Sequence, residues 1–331
     1  MAEQTTRSPS SRRFAWLAAA IVFAIAAYTG GWYYVASLVD QEASKTIASV
    51  NGNGIRFNCD NNRVNGFPFR LGLNCDRVVF EHQVEGLVFT AGAFRSAAQV
   101  YNPTFLVSEL DGNAKLEIRG FPPLTFDWEN LRSSVRLASP LPTRLSLEGR
   151  KIGATANADR PSIRNLFTAK RIEAHMRPNN SALDLAASFA DLLIDRSLLE
   201  DRILPAISGG LDLAIDEGVR LATTPNKSLR GNSGIIRNAY LSPGDNSVIR
   251  ASGPFEVDNQ GLVNAQIAIK VDGVEKLARI ATEAFPESAS EIENFAASLK
   301  ALGDDQELPL HVVKGKISYG FFELGQIPPL P

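Results

Sequence analysis

Two cysteines, Cys59 and Cys75, are the residues whose type and spacing most directly suggest chemistry. A disulfide between them would close a modest loop and contribute about 3 kcal/mol to stability, and such bonds persist in oxidising compartments. Two buried thiols are the alternative. Two thiolates without a histidine nearby in sequence make a poor metal site. The sequence therefore favours a disulfide and predicts no metal site.

The three histidines, His82, His175 and His311, do not belong to a recognisable catalytic motif. The sequence contains no G-x-S-x-G, H-E-x-x-H, C-x-x-C or Walker pattern. We expect His175 on the polar face of a strand and His311 pointing inward in the last hairpin. A carboxylate pair assembled by folding is left open. The sequence thus predicts no catalytic residues, and the protein is expected to be non-enzymatic.

Two short polar clusters, residues 60–62 and 111–113, place Asp beside Asn or Gly. Neither has the ligand spacing of a calcium-binding loop. We interpret both as turns, and the sequence predicts no cofactor.

The N-terminal region is typical of a membrane anchor. Arg7, Arg12 and Arg13 precede residues 14–39, a run without any charged side chain. About 20 apolar helical residues are enough to cross the hydrocarbon core of a bilayer. The aromatic residues 32–34 lie where an interfacial belt is expected. A cleavable signal peptide and a buried soluble helix are the alternatives, but this run is long and ends in bulky aromatic side chains.

These features divide the chain. We predict a cytoplasmic tail at residues 1–13, a transmembrane signal anchor at 14–39, a stalk helix at 40–54 and a β-rich domain outside the membrane at 55–331. A sub-boundary near residues 150–165 is left open. The arginines before the apolar run place the N-terminus in the cytoplasm. The net charge of −2 argues against a nucleic-acid partner.

Beyond the anchor, apolar residues mostly alternate with polar ones, as in half-buried strands. Examples lie at residues 69–75, 116–118, 145–147, 172–176 and 263–271, and Gly, Pro and Asn turns separate them. This pattern predicts an α+β, mainly β fold, in which the anchor helix is followed by an extended, curved antiparallel sheet.

Two C-terminal segments instead have helical periodicity. Residues 277–285 and 292–302 each carry an apolar stripe, and Gly303 is expected to stop the second helix. Asp272 and Glu275 suggest a capping box at the start of the first. The two helices are predicted to form an amphipathic hairpin packed on the sheet. Residues 189–206 suggest a shorter helical segment.

A Gly-Phe-Pro-Phe-Arg sequence, residues Gly66, Phe67, Pro68, Phe69 and Arg70, is the most distinctive motif. We expect Pro68 to start a strand, with the two phenylalanines on either side of it. Arg70 would then be left for a carboxylate or a lipid head group. A second Gly-Phe-Pro triplet at residues 120–122 indicates either two strand starts built alike or a duplicated unit.

The anchor, this motif with the following "LGLNC", and the closing "GKISYGFFELGQIPPLP" resemble domain-of-unknown-function family 2125 of alphaproteobacterial envelopes. The resemblance spans nearly the whole chain. It implies a protein anchored in the bacterial inner membrane with residues 55–331 in the periplasm. It also implies curved, distantly AsmA-like sheets with an apolar concave side. The family brings no established activity and no agreed catalytic residues.

Three functions are weighed on this basis. Because two helices can cover only part of so large an apolar sheet face, the favoured hypothesis is a protein that binds or shields lipid acyl chains in envelope maintenance. Complete covering by the protein's own side chains is the alternative for that face. An anchored scaffold for an unknown protein partner, with the Pro-rich tail contributing, is the second function. An envelope hydrolase is the third.

Overall fold

The computed structural model describes residues 9–52, 54–157, 163–224, 228–244, 247–302 and 307–330. Several features named above lie outside the described residues. These are residues 1–8 of the tail, Asn53 at the end of the stalk, residues 158–162 near the sub-boundary, and Gly303.

One long helix forms the N-terminal region. Helix α1 (Pro9–Val50) runs without interruption through both the apolar run and the stalk. Within the described residues it is the one helix that is long and apolar enough to cross a membrane. The remaining helices are α2 (Gly218–Thr223), α3 (Val274–Ala284) and α4 (Ala289–Leu302), with 3₁₀ turns at Arg196–Leu198 and Pro286–Ser288.

The described part of the chain between α1 and the C-terminus forms twenty strands in one antiparallel sheet. The first ten are β1 (Ile55–Asp60), β2 (Arg63–Asn65), β3 (Arg70–Cys75), β4 (Arg77–His82), β5 (Leu87–Ala91), β6 (Phe94–Gln99), β7 (Asn102–Leu110), β8 (Ala114–Ile118), β9 (Leu124–Asp127) and β10 (Asn130–Arg136). The others are β11 (Arg144–Asn157), β12 (Ile163–Asn179), β13 (Ala182–Ile194), β14 (Ile207–Ile215), β15 (Asn232–Pro243), β16 (Val248–Val257), β17 (Val263–Asp272), β18 (Leu308–Val313), β19 (Lys316–Tyr319) and β20 (Phe322–Gln326).

The sheet is a continuous meander in which each long strand pairs with the next. In the first half of the sheet the short strands come in consecutive couples, such as β1 with β2 and β3 with β4. Each couple forms the two halves of one bent strand. Thus β1 pairs with β4 while β2 pairs with β3, and the same arrangement recurs up to β11. Strand β11 pairs with β10 along its first half and with β9 along its second. From β11 to β20 the strands follow one another in order. The predicted mainly β, α+β fold with a curved antiparallel sheet is confirmed.

The bends of neighbouring strands line up as a crease across the sheet. Asn61, Asn113, Lys151 and Asp191 lie at these bends with φ of 52°, 64°, 48° and 50°. Such left-handed residues shift the side-chain parity of a strand, as in a β-bulge. Apolar side chains therefore stay on the same face on both sides of the crease.

The sheet folds towards its apolar face. Small side chains on that face close to the crease are buried, namely Ala91, Ala114, Ala154 and Ala169. The opposite face carries exposed charged side chains across the same strands. Since crowding at a fold line buries the inner side, the apolar face is the concave one. We call this concave face the trough.

The molecule exposes far more surface than a compact protein of its size. Its accessible surface is 21710 Å², whereas a globular monomer of this mass exposes about 13,000 Å². Part of the excess belongs to residues 12–27 of α1, which are exposed throughout. The rest reflects a sheet that lacks a second layer over much of its area.

The C-terminal helical hairpin is present, but its start differs from the prediction. Gly273, in a left-handed conformation, is the N-cap of α3, and no side chain caps the helix. Asp272 instead pairs with Arg250, and Glu275 pairs with Lys300. The predicted capping box is therefore wrong, because each carboxylate gains a charge-assisted bond to a cation elsewhere.

The helical prediction for residues 189–206 is also wrong in its first half. Residues 189–194 complete strand β13, and only Arg196–Leu198 form a 3₁₀ turn, capped by Asp195. The bulge at Asp191 breaks the simple alternation of the strand, and this explains the misleading pattern.

Candidate functional site

The trough is lined by rows of apolar cross-strand neighbours. In the central row, Ser133 of β10 faces Leu147 of β11, which faces Ala174 of β12. The row continues through Ala187 of β13 to Leu211 of β14 and Ala239 of β15. Cross-strand partners share one face of a sheet. Alternation along each strand therefore produces a broad apolar surface rather than an isolated patch.

The centre of this surface is open to solvent. Leu147, Leu211 and Leu241 are 38%, 39% and 43% exposed. Contiguous apolar surface left uncovered in a soluble domain marks an interaction site. The trough is thus not filled by the side chains of the protein itself.

One part of the trough forms an open cavity of about 640 Å³. It is lined mainly by Ile172, Phe189, Leu192, Ile194, Leu198 and Leu211. Leu198 belongs to the 3₁₀ turn after β13, so this loop covers one end of the cavity. Its volume and apolar lining are within the range of known small-molecule sites.

A single arginine connects this covering loop to the C-terminal helices. The Arg202 guanidinium lies 4.5 Å from the centre of the Phe285 ring and 2.8 Å from a Glu287 carboxylate oxygen. A second apolar cavity of about 370 Å³ separates α3 and α4 from Ile249 and Val271 at the ends of β16 and β17. The hairpin therefore covers only one corner of the trough.

The convex face is polar and carries a ladder of ion pairs. Glu109 of β7 binds Arg132 of β10. Arg171 of β12 binds both Glu148 of β11 and Glu173 of β12. These side chains are all partly exposed to solvent, so each pair contributes little to stability. The ladder keeps this face solvated, whereas the trough is the apolar side of the sheet.

One carboxylate in the ladder is buried. Asp184 is 8% exposed and accepts hydrogen bonds from both Arg177 and Arg237. The guanidinium of Arg237, followed by that of Arg177, holds the pKa of Asp184 below its ordinary value. The charged form of Asp184 therefore stabilises the folded state.

We expect Asp184→Asn to lower the free energy of unfolding by about 2 kcal/mol at pH 7, because Arg177 loses its charged partner and Arg237 keeps only Asp212. Since the pKa of Asp184 is lower in the folded state, its contribution is complete above the unfolded value of about 3.9 and disappears as the pH falls through the folded value. The difference between wild type and variant should therefore shrink below about pH 4.

Urea denaturation at several pH values measures this difference. Asp191→Asn is the matched control, because Asp191 forms an exposed pair with Lys170 and should cost less than about 0.5 kcal/mol. An equal loss in both variants would show that burial gives Asp184 no special role.

The histidines occupy three separate positions. His82 ends β4 and lies 3.5 Å from Glu85. His311 is exposed, so the prediction that it points inward is wrong; its strand neighbour Val312 is the buried one. His175 Nδ1 lies 3.0 Å from Ser146 Oγ, a contact that no sequence motif indicated.

The Ser146–His175 pair joins cross-strand neighbours on the convex face. Within the described residues no carboxylate is hydrogen-bonded to the imidazole of His175, so the orienting third group of a catalytic triad is missing there. The described residues also contain no cluster of three His, Cys, Asp or Glu that could hold a metal ion. The Asp60 and Asp111 carboxylates of the predicted turns bind Arg77 and Arg95.

Cys59 and Cys75 are joined by a disulfide with a Cα–Cα distance of 5.2 Å. Both cysteines are buried on the trough side at the crease, at the ends of β1 and β3. The bond therefore fastens the first two bent strands together at the point where they bend.

The Gly-Phe-Pro-Phe-Arg motif forms a knot against α1. Tyr28 Oη donates a hydrogen bond to the Pro68 carbonyl over 2.6 Å, and Trp32 Nε1 donates one to the Arg70 carbonyl over 3.0 Å. The Phe67 ring lies 5.4 Å from the Trp32 ring, measured between centroids. Trp32 is only 6% exposed. The knot thus fixes the sheet to the helix.

Pro68 does not start a strand, contrary to the prediction. The Arg70 N–H donates to the Gly66 carbonyl over 2.9 Å and closes a turn over residues 67–69, so β3 begins at Arg70. Gly66 has φ of 117°, and a Cβ there would lie 2.8 Å from Arg70 backbone and side-chain atoms. Only glycine fits this turn.

The second Gly-Phe-Pro triplet is also a turn, between β8 and β9. It lies on the other side of the crease from the knot, and Phe121 is exposed there. The two triplets therefore form turns that precede strands at opposite ends of the sheet.

Sequence reasoning missed the contact between the knot and α1, because nothing in the spacing relates Trp32 to Phe67. The indole of Trp32 gave a weak signal, since a buried Trp N–H needs an acceptor. The trough residues, in contrast, were visible as alternation along each strand.

A comparison with protein families agrees with this architecture. The family described as "Uncharacterized protein conserved in bacteria (DUF2125)" matches residues 32–328, which include the knot, all twenty strands of the described chain and both C-terminal helices. No curated protein matches the sequence. Because the family match extends over most of the sequence, the chain belongs to the DUF2125 family.

Proposed function

We propose that this protein is anchored in the bacterial inner membrane by α1 and binds or shields lipid acyl chains in its periplasmic trough. The observation that carries the proposal is the open apolar centre of the trough at Leu147, Leu211 and Leu241. Apolar surface of this extent is stabilised when an apolar partner removes it from water. An acyl chain has the length and the uniform apolar character that a long trough matches.

The membrane assignment is supported by the sequence of α1. Residues 14–39 carry no charge, and Arg12 and Arg13 precede them, which favours a cytoplasmic N-terminus and a periplasmic sheet. The proposal includes no catalytic step. The role of the protein in the envelope would be to hold lipid away from water.

Photo-crosslinking with a diazirine-bearing phospholipid tests the proposal on the full-length chain in membranes. Peptides of β11 to β14 should be labelled in addition to α1, and a fluorescent fatty acid should compete for the sheet label alone. Mass spectrometry of the extracted protein should also find co-purifying lipid. Labelling confined to α1, with no displaceable lipid, would contradict acyl-chain binding and leave the anchor intact.

A second function, an anchored scaffold, is favoured by the last strand. All five residues of β20 are exposed, including Phe322 and Leu324, and the strand lies at the edge of the sheet. Exposed apolar edge strands can pair with a strand of another chain. The Pro-rich tail contributes less than expected, because Ile327 and Leu330 hydrogen-bond back to Gly315 and Gly261.

A further inference from the structure

Three strand-connecting loops form an apolar strip at the end of the sheet that carries the knot. We call this strip the near rim and define it by residues 67–69, 100–101 and 137–143. Phe69, Tyr101 and Leu137 are 67%, 76% and 50% exposed. The Val100 N–H donates to the Phe69 carbonyl over 3.0 Å, so the first two loops adjoin. The third follows through the bond from Leu137 N–H to the Thr104 carbonyl, 2.8 Å.

The charged side chains that flank the near rim have one sign. Residues 65–71, 99–106 and 136–145 contain no Asp or Glu, but they contain Arg70, Arg136 and Arg144. Within the part of the chain that the structure describes, these three arginines form no ion pair; Arg136 lies over the Phe105 ring at 5.8 Å. Exposed aromatic and aliphatic side chains flanked by free guanidinium groups match the interface of an anionic bilayer.

Helix α1 sets the height of the near rim above the membrane. Trp32, which binds the knot, is 19 residues after Arg13, a rise of about 29 Å along a helix. This rise equals the thickness of the hydrocarbon core, about 30 Å. When Arg13 lies at the cytoplasmic head groups, Trp32 and the knot therefore lie at the opposite interface.

We propose that the near rim inserts into the outer leaflet of the bilayer that α1 crosses. Phe69, Tyr101 and Leu137 enter the acyl boundary, and the three arginines bind lipid phosphates. The sheet then stands on the membrane surface with the first strands of the trough opening at the bilayer. This inference rests on the anchoring part of the proposed function and is independent of whether the trough binds acyl chains.

Site-directed spin labelling of the full-length chain tests the proposal. Because Cys59 and Cys75 are bonded to each other, single cysteines at residues 69, 101 or 121 can be labelled selectively. The variants Phe69→Cys, Tyr101→Cys and Phe121→Cys are reconstituted in vesicles of phosphatidylethanolamine and phosphatidylglycerol. Phe121 is the matched control, since it is 71% exposed and lies in the second Gly-Phe-Pro turn, across the crease. A fourth label at Val22 reports on α1.

Labels at residues 69 and 101 should be accessible to oxygen and several-fold less accessible to a water-soluble nickel complex than the label at 121. Two positions are used so that one poorly folded variant does not decide the result. If nickel accessibility at residues 69 and 101 equalled that at residue 121 while Val22 was protected, insertion of the near rim would be contradicted. Membrane anchoring by α1 would be unaffected. Shielding of 69 and 101 from both reagents would overturn insertion of the near rim in favour of a protein contact. Nickel access at Val22 would contradict both membrane anchoring by α1 and insertion of the near rim.

Discussion

Leu147→Asp and Leu211→Asp are each expected to lower the affinity for a fluorescent fatty acid by on the order of tenfold or more. Both side chains lie in the central row of the trough, and each is more than a third exposed. A carboxylate at either position must be buried beneath the acyl chain without a partner, and this desolvation is costly. Titration of the labelled fatty acid against each purified variant measures the loss.

Ser146→Asp is the matched control for Leu147→Asp. It adds the same charge to the same strand, but on the convex face beside His175. Because all three positions are partly exposed, all three variants should unfold within about 1 kcal/mol of wild type. Fatty-acid binding should be lost only in the two trough variants. Equal affinity in Leu147→Asp, Ser146→Asp and wild type would exclude the trough as the site.

Removing the disulfide should produce the largest change in stability. The double variant Cys59→Ala, Cys75→Ala reopens a connection that spans 16 residues of sequence. In the chain-entropy model this costs about 3 kcal/mol. For a domain of this size that loss lowers the melting temperature by roughly 6 to 12 °C. Thermal unfolding followed by circular dichroism measures it.

A reducing agent provides the control for this prediction. Dithiothreitol should lower the melting temperature of wild type to that of the double variant and should leave the variant unchanged. Both cysteines are buried at the crease, so alanine fills part of the same space. If the oxidised wild type and the double variant unfolded at the same temperature, the disulfide would not hold the first bent strands together.

The trough and the near rim belong to one geometry. The knot holds the sheet against α1 at Trp32, and the strands leave the knot for the crease and the far end. A lipid that entered at the near rim would meet apolar side chains on the concave face without crossing the charged ladder. Membrane anchoring by α1, contact of the near rim with the bilayer and acyl-chain binding in the trough are thus separate properties, and the experiments above distinguish them.

Local sequence patterns revealed most of the elements. The uncharged run of residues 14–39 indicated the long helix, and the alternation at residues 145–147, 172–176 and 263–271 indicated strands. The uncharged run was recognised by its length, whereas the alternation follows from the regular period of the backbone, which is 2 for strands and 3.6 for helices. The amphipathic stripes of α3 and α4 were visible for the same reason.

Contacts between distant residues were not predictable in this way. The Ser146–His175 contact depends on the register of β11 and β12. Asp272 could cap α3 or bind Arg250, and only the register of β16 and β17 brings that arginine within reach. The bulge at Asp191 similarly disturbs the alternation of residues 189–194, which were predicted to be helical but form the end of β13.

The sequence by itself determined an apolar helix and a meandering sheet with one apolar face, and it favoured a disulfide over two buried thiols. Only the tertiary structure decided that the apolar face stays open, that the sheet creases towards it, and that the knot docks on Trp32. The physical reason is that alternation specifies which side chains share a face. Coverage of that face depends on bends, register and docking, which arise from contacts between residues far apart in the chain.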